Sequence, residues 1–288
     1  MRQVDNERAQ HHQPDKRDGF SLIMFTVIAR LTRSLFGNWQ FACAMAGRDA
    51  LALNRGSLLG LAWLAVRPLI QVGAYVVIVS YVFQTRLGEQ QGRFDYVLYV
   101  LSGLVVWQMV QRALEDAPSL LRDRMDIVKQ MAYPIETLPV TTMLAHVTAP
   151  AVGLCTYMVL ALVSGKLTWS CLLLPVPALL LAALLLGLSW SMMIVGVVIK
   201  DLREVIAVIL GLLVYVSPVL VAESMVSDTM WVLLMLNPLA HVVIAFRDVL
   251  LGTFHPSSWA VFAVMSMGSL LFGAWLLDHM KQTINEYL

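Results

Sequence analysis

Charge is scarce in this sequence. Asp, Glu, Lys and Arg make up 14% of its 288 residues, against about 25% in soluble domains. With 59% hydrophobic residues and a mean hydropathy of +0.73, the chain reads as one integral membrane unit rather than one or two soluble domains. Cysteine is sparse too: Cys43, Cys155 and Cys171 lie far apart without CxxC or zinc spacing, which argues against a disulfide framework or a metal site. No G-x-x-x-x-G-K-[ST] occurs; the nearest approach, Gly165-Lys166-Leu167, lacks the upstream glycine and the Ser/Thr, so no cofactor-binding phosphate loop is expected in this chain. No Asp or Glu stands well inside the long apolar runs, which disfavours an ATP-independent carrier built on a buried carboxylate relay. His146, His241, His255 and His279 form no catalytic cluster, against a membrane-embedded acyl- or glycosyltransferase. The net charge of +1 says little, and no nucleic-acid partner is expected.

What is present is a series of apolar runs with charge between them. Residues 1–19 are polar and read as disordered. The apolar stretch from Phe20 to Ala29 runs on into Arg30 and Arg33 without a small-residue cleavage site, so no cleaved signal is expected. It is also about half the roughly 20 residues that a span requires. Residues 20–57 are read as amphipathic interfacial helices: one over 20–36, a break at Gly37-Asn38, and a second over 39–55 with Arg48 and Arg55 on one face. Six helical spans follow within 58–288, at 58–83, 96–110, 142–163, 172–199, 205–221 and 259–277. The expected fold is therefore an all-α integral membrane protein. The fourth run would be about 42 Å long at helical rise, so it must tilt or protrude. Orientation follows from counting: with the N-terminus inside, inner segments hold fifteen Lys/Arg and outer loops hold four, which puts both termini in the cytoplasm.

Two loops carry structure of their own. In the inner loop 112–141, Leu120, Leu121, Ile127, Val128 and Met131 recur among Arg122, Asp123, Arg124, Asp126 and Lys129, a pattern for a short amphipathic helix ended before Pro134. The outer loop 222–258 has four formal charges, Glu223, Asp228, Arg247 and Asp248. Its apolar pieces, 229–236 and 239–251, are split by Asn237-Pro238 and are each too short to cross. A re-entrant or interfacial pair near the outer face is expected there.

The segments "GRDALALNRGSLLGLAWLAVRPL", "LYVLSGLVVWQ", "IVKQMAYPIETLP", "IKDLREVIAVILGLLVYVSPVL" and "LNPLAHVVIAFRDVLLG" occur in this order from residue 47 onward. Together they resemble the permease subunit of ABC exporters for polysaccharides, a family that exports O-antigen, capsular polysaccharide or teichoic acid. The resemblance implies six spans, an interfacial helix before the first, and re-entrant helices between the fifth and sixth. It also implies a homodimer in the bacterial inner membrane bound to two copies of a separate ATPase that carries the ATP-Mg, with a lipid-linked polysaccharide as substrate. The inner loop, with Arg122, Asp123, Arg124, Asp126, Lys129 and Glu136, would then couple to the ATPase, and Lys200, Asp201 and Arg203 would lie at a second contact. An ABC exporter of a drug or small lipid is the alternative within the same class.

Arg67, ten residues into the first run and directly before Pro68, departs from the Gln or Glu that the family commonly has there. A charge at the bilayer centre costs at least ~2.5–3.5 kcal/mol on insertion scales. Two solutions remain open: Arg67 faces a hydrated substrate path, or the span begins at Pro68 and Arg67 lies among lipid phosphates. In the first case Arg48, Arg55 and Arg67 would form an inner-leaflet cluster for the phosphate of a lipid-linked glycan. Trp63, Tyr75, Tyr81, Trp107, Tyr157, Trp190 and Tyr215 lie in or near spans and are candidates for an aromatic glycan track, although Trp and Tyr also gather at membrane interfaces for other reasons.

Overall fold

The computed structural model describes residues 29–52, 93–126, 128 and 134–287, with isolated positions between 62 and 77. The expected first span, apart from those positions, lies outside the described residues, as do residues 1–28 and Arg55, Arg67, Tyr75, Tyr81 and Lys129. Among the described residues all regular structure is helical. Residues 29–37 are helical, Asn38 is a turn, and α1 follows over Trp39–Ala52, close to the expected break and second helix.

The bundle is built around α2 (Arg93–Asp116), whose apolar residues from Tyr96 to Leu114 are largely buried on every side. A helix apolar all round belongs in the middle of a bundle, and α2 does form the centre of the larger core cluster. It continues through a short turn into Leu120–Asp123, where Leu120 and Leu121 are buried and Asp123 is exposed.

The third apolar run is bent. It comprises α3 (Leu138–His146) and α4 (Thr148–Val163), which meet at 41°. Pro150 explains the bend: it has no N–H to give the His146 carbonyl, and its ring crowds that oxygen. The fourth run is α5 (Pro175–Val198), 24 residues long, preceded by a 3-10 turn at Trp169–Leu173. The expected 28-residue helix is shorter because that turn lies before Pro175.

The fifth run differs most from expectation. Only α6 (Leu202–Leu213) is helical; residues 214–220 form turns and a bend, and 221 and 222 are irregular. Pro218 accounts for this: it cannot donate to Val214, and the residue before it is driven out of the helical region. Two helices at 101° come next, α7 (Asp228–Met235) and α8 (Pro238–Leu251). The side chain of Asn237 accepts from Leu239 N at 3.0 Å while Pro238 takes the first helical position, a combination that starts helices well. Gly252, at φ +77°, ends α8, and α9 (Pro256–Tyr287) closes the fold.

Three helical stretches are long and apolar enough to cross a membrane: Asp95–Asp123, Pro175–Val198 and Pro256–Lys281. Counting each bent pair as one span gives up to five among the described residues. Contacts fix the direction of each element. Asp116, His146, Gly196, Arg203 and Lys281 gather at one end; Tyr96, Lys166, Leu220 and Trp259 gather at the other. α2, α3–α4, α5 and α9 each connect the two ends, and the segment from Arg203 on α6 to Leu220 does so as well, while α8 meets the second end through Arg247 and Leu250.

α5 and α9 pack most closely. A Cβ on Gly187 would lie 2.1 Å from the Ser269 carbonyl oxygen, and one on Gly273 would lie 2.2 Å from the Gly187 carbonyl oxygen. Small residues let the two backbones touch, and Ser269 Oγ donates to Leu184 O at 3.2 Å across the seam.

Candidate functional site

Two polar assemblies cap the ends of α2. Twenty residues separate Tyr96 from Asp116, which is about 30 Å of helix and matches the hydrocarbon thickness of a bilayer.

The first assembly answers a question posed by the unwound segment: where do its backbone carbonyls go? Buried peptide groups need partners, and side chains supply them here. Tyr96 Oη donates to Leu220 O at 2.7 Å and Tyr99 Oη to Val221 O at 3.1 Å. Asn237 Nδ2 donates to Ser217 Oγ at 2.7 Å and Val216 O at 3.4 Å. Arg247 donates through Nη2 to Val219 O at 3.4 Å and to Tyr99 O at 3.3 Å, and through Nε to Ser102 Oγ at 3.4 Å. Its guanidinium carbon also lies 3.5 Å from the centre of the Tyr99 ring, in cation–π contact. Arg247 is 6% exposed, and among the described residues no carboxylate lies within ion-pair distance of it. It serves as a strut between α2, α8 and the unwound segment. The sequence pattern places it in an outer loop; among the described residues it is one of the most buried charged groups.

Asp248 follows it, 2% exposed. Its carboxylate accepts from Thr253 Oγ1 at 2.7 Å, His255 N at 2.8 Å and Trp259 Nε1 at 3.0 Å, and lies 2.6 Å from His255 Nδ1. This clamp holds the turn between α8 and α9. A cleft of about 710 Å³ opens beside both residues, lined in part by Tyr99, Glu223, Asp228 and Trp231.

The second assembly lies at the other end. Asp116, the last residue of α2, places Oδ2 2.8 Å from His146 Nε2 and accepts at Oδ1 from Arg203 Nη2 at 3.0 Å. Arg122 donates through both terminal nitrogens to Lys200 O at 3.3 Å. The two segments read as separate contacts, around Arg122 and over Lys200-Asp201-Leu202-Arg203, are therefore neighbours. Lys200, Asp201 and Arg203 remain exposed, as do Asp123 and Asp126. Arg124 turns inward instead, donating to Asp49 Oδ2 at 2.5 Å and Thr141 Oγ1 at 3.3 Å, which ties the turn after α2 to α1.

Glu136 corrects an expectation. Grouped on sequence with residues presented to a partner, it is 6% exposed. It accepts from Ser34 Oγ at 2.6 Å and pairs with Lys281 Nζ at 2.9 Å, and its carbonyl accepts from Trp190 Nε1 at 3.1 Å. Its role is to join the helical residues 29–37 to α9 and α5, so no surface carboxylate is left there to dock.

The aromatic candidates separate by burial. Trp107 and Trp190 are each 2% exposed and Tyr157 is 0%. They pack within the protomer, and Tyr157 Oη donates to Leu250 O at 2.8 Å. Their burial takes these three rings away from any surface a passing chain could touch. Tyr215 is 68% exposed, and Trp63 is half-buried. Arg48 is exposed on α1, with Nη1 3.9 Å from Met45 Sδ. Sequence reasoning passed over Asp116, Asp49 and the strut role of Arg247. The signal available for the last was Pro218, which announces freed carbonyls that need donors.

Residues 40–251 match the ABC-2 type transporter family. The O-antigen export system permease protein RfbA of Myxococcus xanthus is 23% identical over 248 residues, covering 85% of this chain and 93% of the relative. The protein of that name from Klebsiella pneumoniae is 19% identical over 250 residues, covering 85% and 93%. The family match spans well over half of the sequence, including Asp116, Arg203, Arg247 and Asp248, and the chain belongs to the ABC-2 type transporter family.

Proposed function

We propose that this chain is the membrane-spanning permease subunit of an ATP-driven exporter that moves a lipid-linked polysaccharide, of O-antigen or capsular type, across the bacterial cytoplasmic membrane. The observation that carries the reading is the end-to-end similarity to permeases named for O-antigen export, over 85% of the chain. Two copies form a dimer bound to two copies of a separate ATP-binding subunit, which hydrolyses the ATP-Mg. The six-span arrangement is completed by a first span over 58–83 and by α6 with its unwound tail as the fifth. The Arg122 end faces the cytoplasm, as the excess of Lys and Arg there requires. At the outer face α7 and α8 form the re-entrant cap, with unwound backbone tolerated because protein side chains satisfy it. On α6, Val205, Val208 and Leu212 are exposed, as is Tyr215 in the turn after it, while Ile206 and Leu210 are buried; so apolar an exposed stripe suits lipid or the second subunit.

Coupling passes through the exposed surface formed by Arg122, Asp123, Asp126, Lys200, Asp201 and Arg203. Closure of the ATPase dimer moves this surface, and the spans part to admit the polymer. Arg48, Arg55 and Arg67 bind the phosphate of the lipid carrier at the inner leaflet, and the glycan path retains Trp63, Tyr75, Tyr81 and Tyr215 as candidate linings. Replacing Arg67 with Gln is then expected to lower export without lowering membrane abundance or ATPase recovery. Unchanged surface polymer would end the role given to Arg67. The reading as a whole is tested by purifying the protein from its native membrane in mild detergent. A stoichiometric partner with a Walker motif is expected. A protein recovered alone, yet active in vesicles without ATP, would overturn it.

A further inference from the structure

The end assembly at Asp116 contains a tie that the coupling surface alone does not explain. Three elements distant in sequence converge on one carboxylate. Asp116 ends the central helix α2; His146 is the last residue before the 41° break between α3 and α4; Arg203 is in the first turn of α6. Each carboxylate oxygen serves a different neighbour, Oδ2 meeting His146 at 2.8 Å and Oδ1 accepting from Arg203 at 3.0 Å. The group is partly shielded, with Asp116 and His146 side chains 24% and 20% exposed.

Around this carboxylate the chain is packed as a block. Arg122 grips the Lys200 carbonyl from across the junction. Gly196, near the end of α5, lies so close to the turn after α2 that a Cβ there would meet the Pro118 carbonyl oxygen at 2.0 Å. Residues 116–122 and 196–203 therefore cannot shift far relative to one another without breaking backbone contact. The break beside His146 is different. Pro150 leaves the His146 carbonyl without its helical donor, so the junction of α3 and α4 is the place in that span where bending disturbs the backbone ladder least. A stiff block sits beside a joint, and the Asp116–His146 contact links them.

We propose that Asp116 is the positioning residue that transmits movement of the coupling surface to the joint at His146–Val147. It does so by holding Arg203 and His146 on opposite oxygens of one carboxylate. This rests on the reading of the chain as an ATP-driven permease. A push on Lys200 and Arg203 is carried by Arg203 to Asp116, and by Asp116 to the end of α3. The same push enters α2, whose far end holds the unwound carbonyls through Tyr96 and Tyr99. Without the carboxylate the block and the joint move independently, and ATP is hydrolysed without parting the spans.

The experiment uses the complex with its ATP-binding partner, in cells for export and purified for hydrolysis. Surface polymer is measured by carbohydrate staining of intact cells, and ATP turnover on the detergent-solubilised complex. For Asp116→Asn, assembly and melting temperature are expected near wild type, ATP turnover is expected to be retained, and surface polymer is expected to fall at least about fivefold, the lower end of a usual coupling between sites. Asp116→Glu keeps a carboxylate and is expected to recover more than half of export. Asn exporting like wild type would overturn the role of Asp116 while leaving the permease reading intact. So would a fall in export no larger than a matching fall in assembled complex, which marks a residue that only stabilises the fold. A wild-type protein that recovers no ATPase and exports without ATP would overturn the permease reading and this inference together.

Discussion

Gly187→Val is expected to abolish recovery of folded protein, whereas Gly268→Ala is expected to be tolerated. Position 187 faces the backbone of α9 with no side chain between, and an added Cβ would lie 2.1 Å from the Ser269 carbonyl oxygen. A flexible side chain could swing away from such a contact; a carbonyl held in a helix backbone cannot. The two helices would have to separate, losing the Ser269–Leu184 hydrogen bond and the packing of the fully buried Leu184, Leu185 and Met193 nearby. Overpacking of a core usually costs about 1–3 kcal/mol and occasionally more, and a clash with backbone belongs to the exceptional class of roughly 4 kcal/mol or above. That is a large part of the roughly 5–15 kcal/mol by which proteins are stable. Gly268 lies on α9 beside Ser269, and a Cβ there meets nothing within 4 Å. Its change to Ala gains up to about 1 kcal/mol of helix propensity. The check is size-exclusion profile and melting temperature of both variants in detergent. A monodisperse Gly187→Val melting within a few degrees of wild type would refute the backbone contact.

Asp248→Ala is the second large effect, by a different physical route. The change removes little volume but deprives the Thr253 hydroxyl, the His255 amide and the Trp259 indole of their acceptor. Leaving a buried donor unpaired costs about 1–3 kcal/mol; with several donors around one site, partly rehydrated through the adjacent cleft, a loss of roughly 3 kcal/mol follows. Asp248→Asn is expected to be nearly as damaging, because its amide nitrogen would confront N–H and O–H groups that already donate. Hydrogen exchange should rise first over the turn joining α8 to α9, with melting of the whole protein lowered in both variants. Protection there at wild-type levels in Asp248→Asn would show that the clamp does not depend on charge or acceptor count.

Much of this protein is legible in hydropathy and proline. The scarcity of charge, the apolar runs and the break at Asn237-Pro238 anticipate the membrane class and the sharp turn between α7 and α8. Gly37-Asn38 foretells the turn before α1 to within a residue. Proline is legible unevenly. Pro134 and Pro238 announce breaks, whereas Pro150 and Pro218 stand inside long apolar stretches whose hydrophobicity suggests unbroken helix. The kink beside His146 and the unwinding after Leu213 both follow from the missing N–H of those two residues.

The partner of each charge was beyond the sequence. Arg247 looks like a loop cation until the unwound carbonyl of Val219 and the Tyr99 ring are found beside it, 28 and 148 residues away in the chain. Glu136 looks like a surface carboxylate until Ser34 and Lys281 close on it from both ends of the sequence. Asp116 gave no signal, since neither His146 nor Arg203 is near it in the chain. Local pattern encodes where the chain must leave water and where its helices must stop, because transfer free energy and backbone sterics act residue by residue. Which donor meets which acceptor is decided by tertiary packing, because a buried polar group takes its partner from whatever the fold brings within about 3 Å, and that neighbourhood does not exist until the helices have assembled.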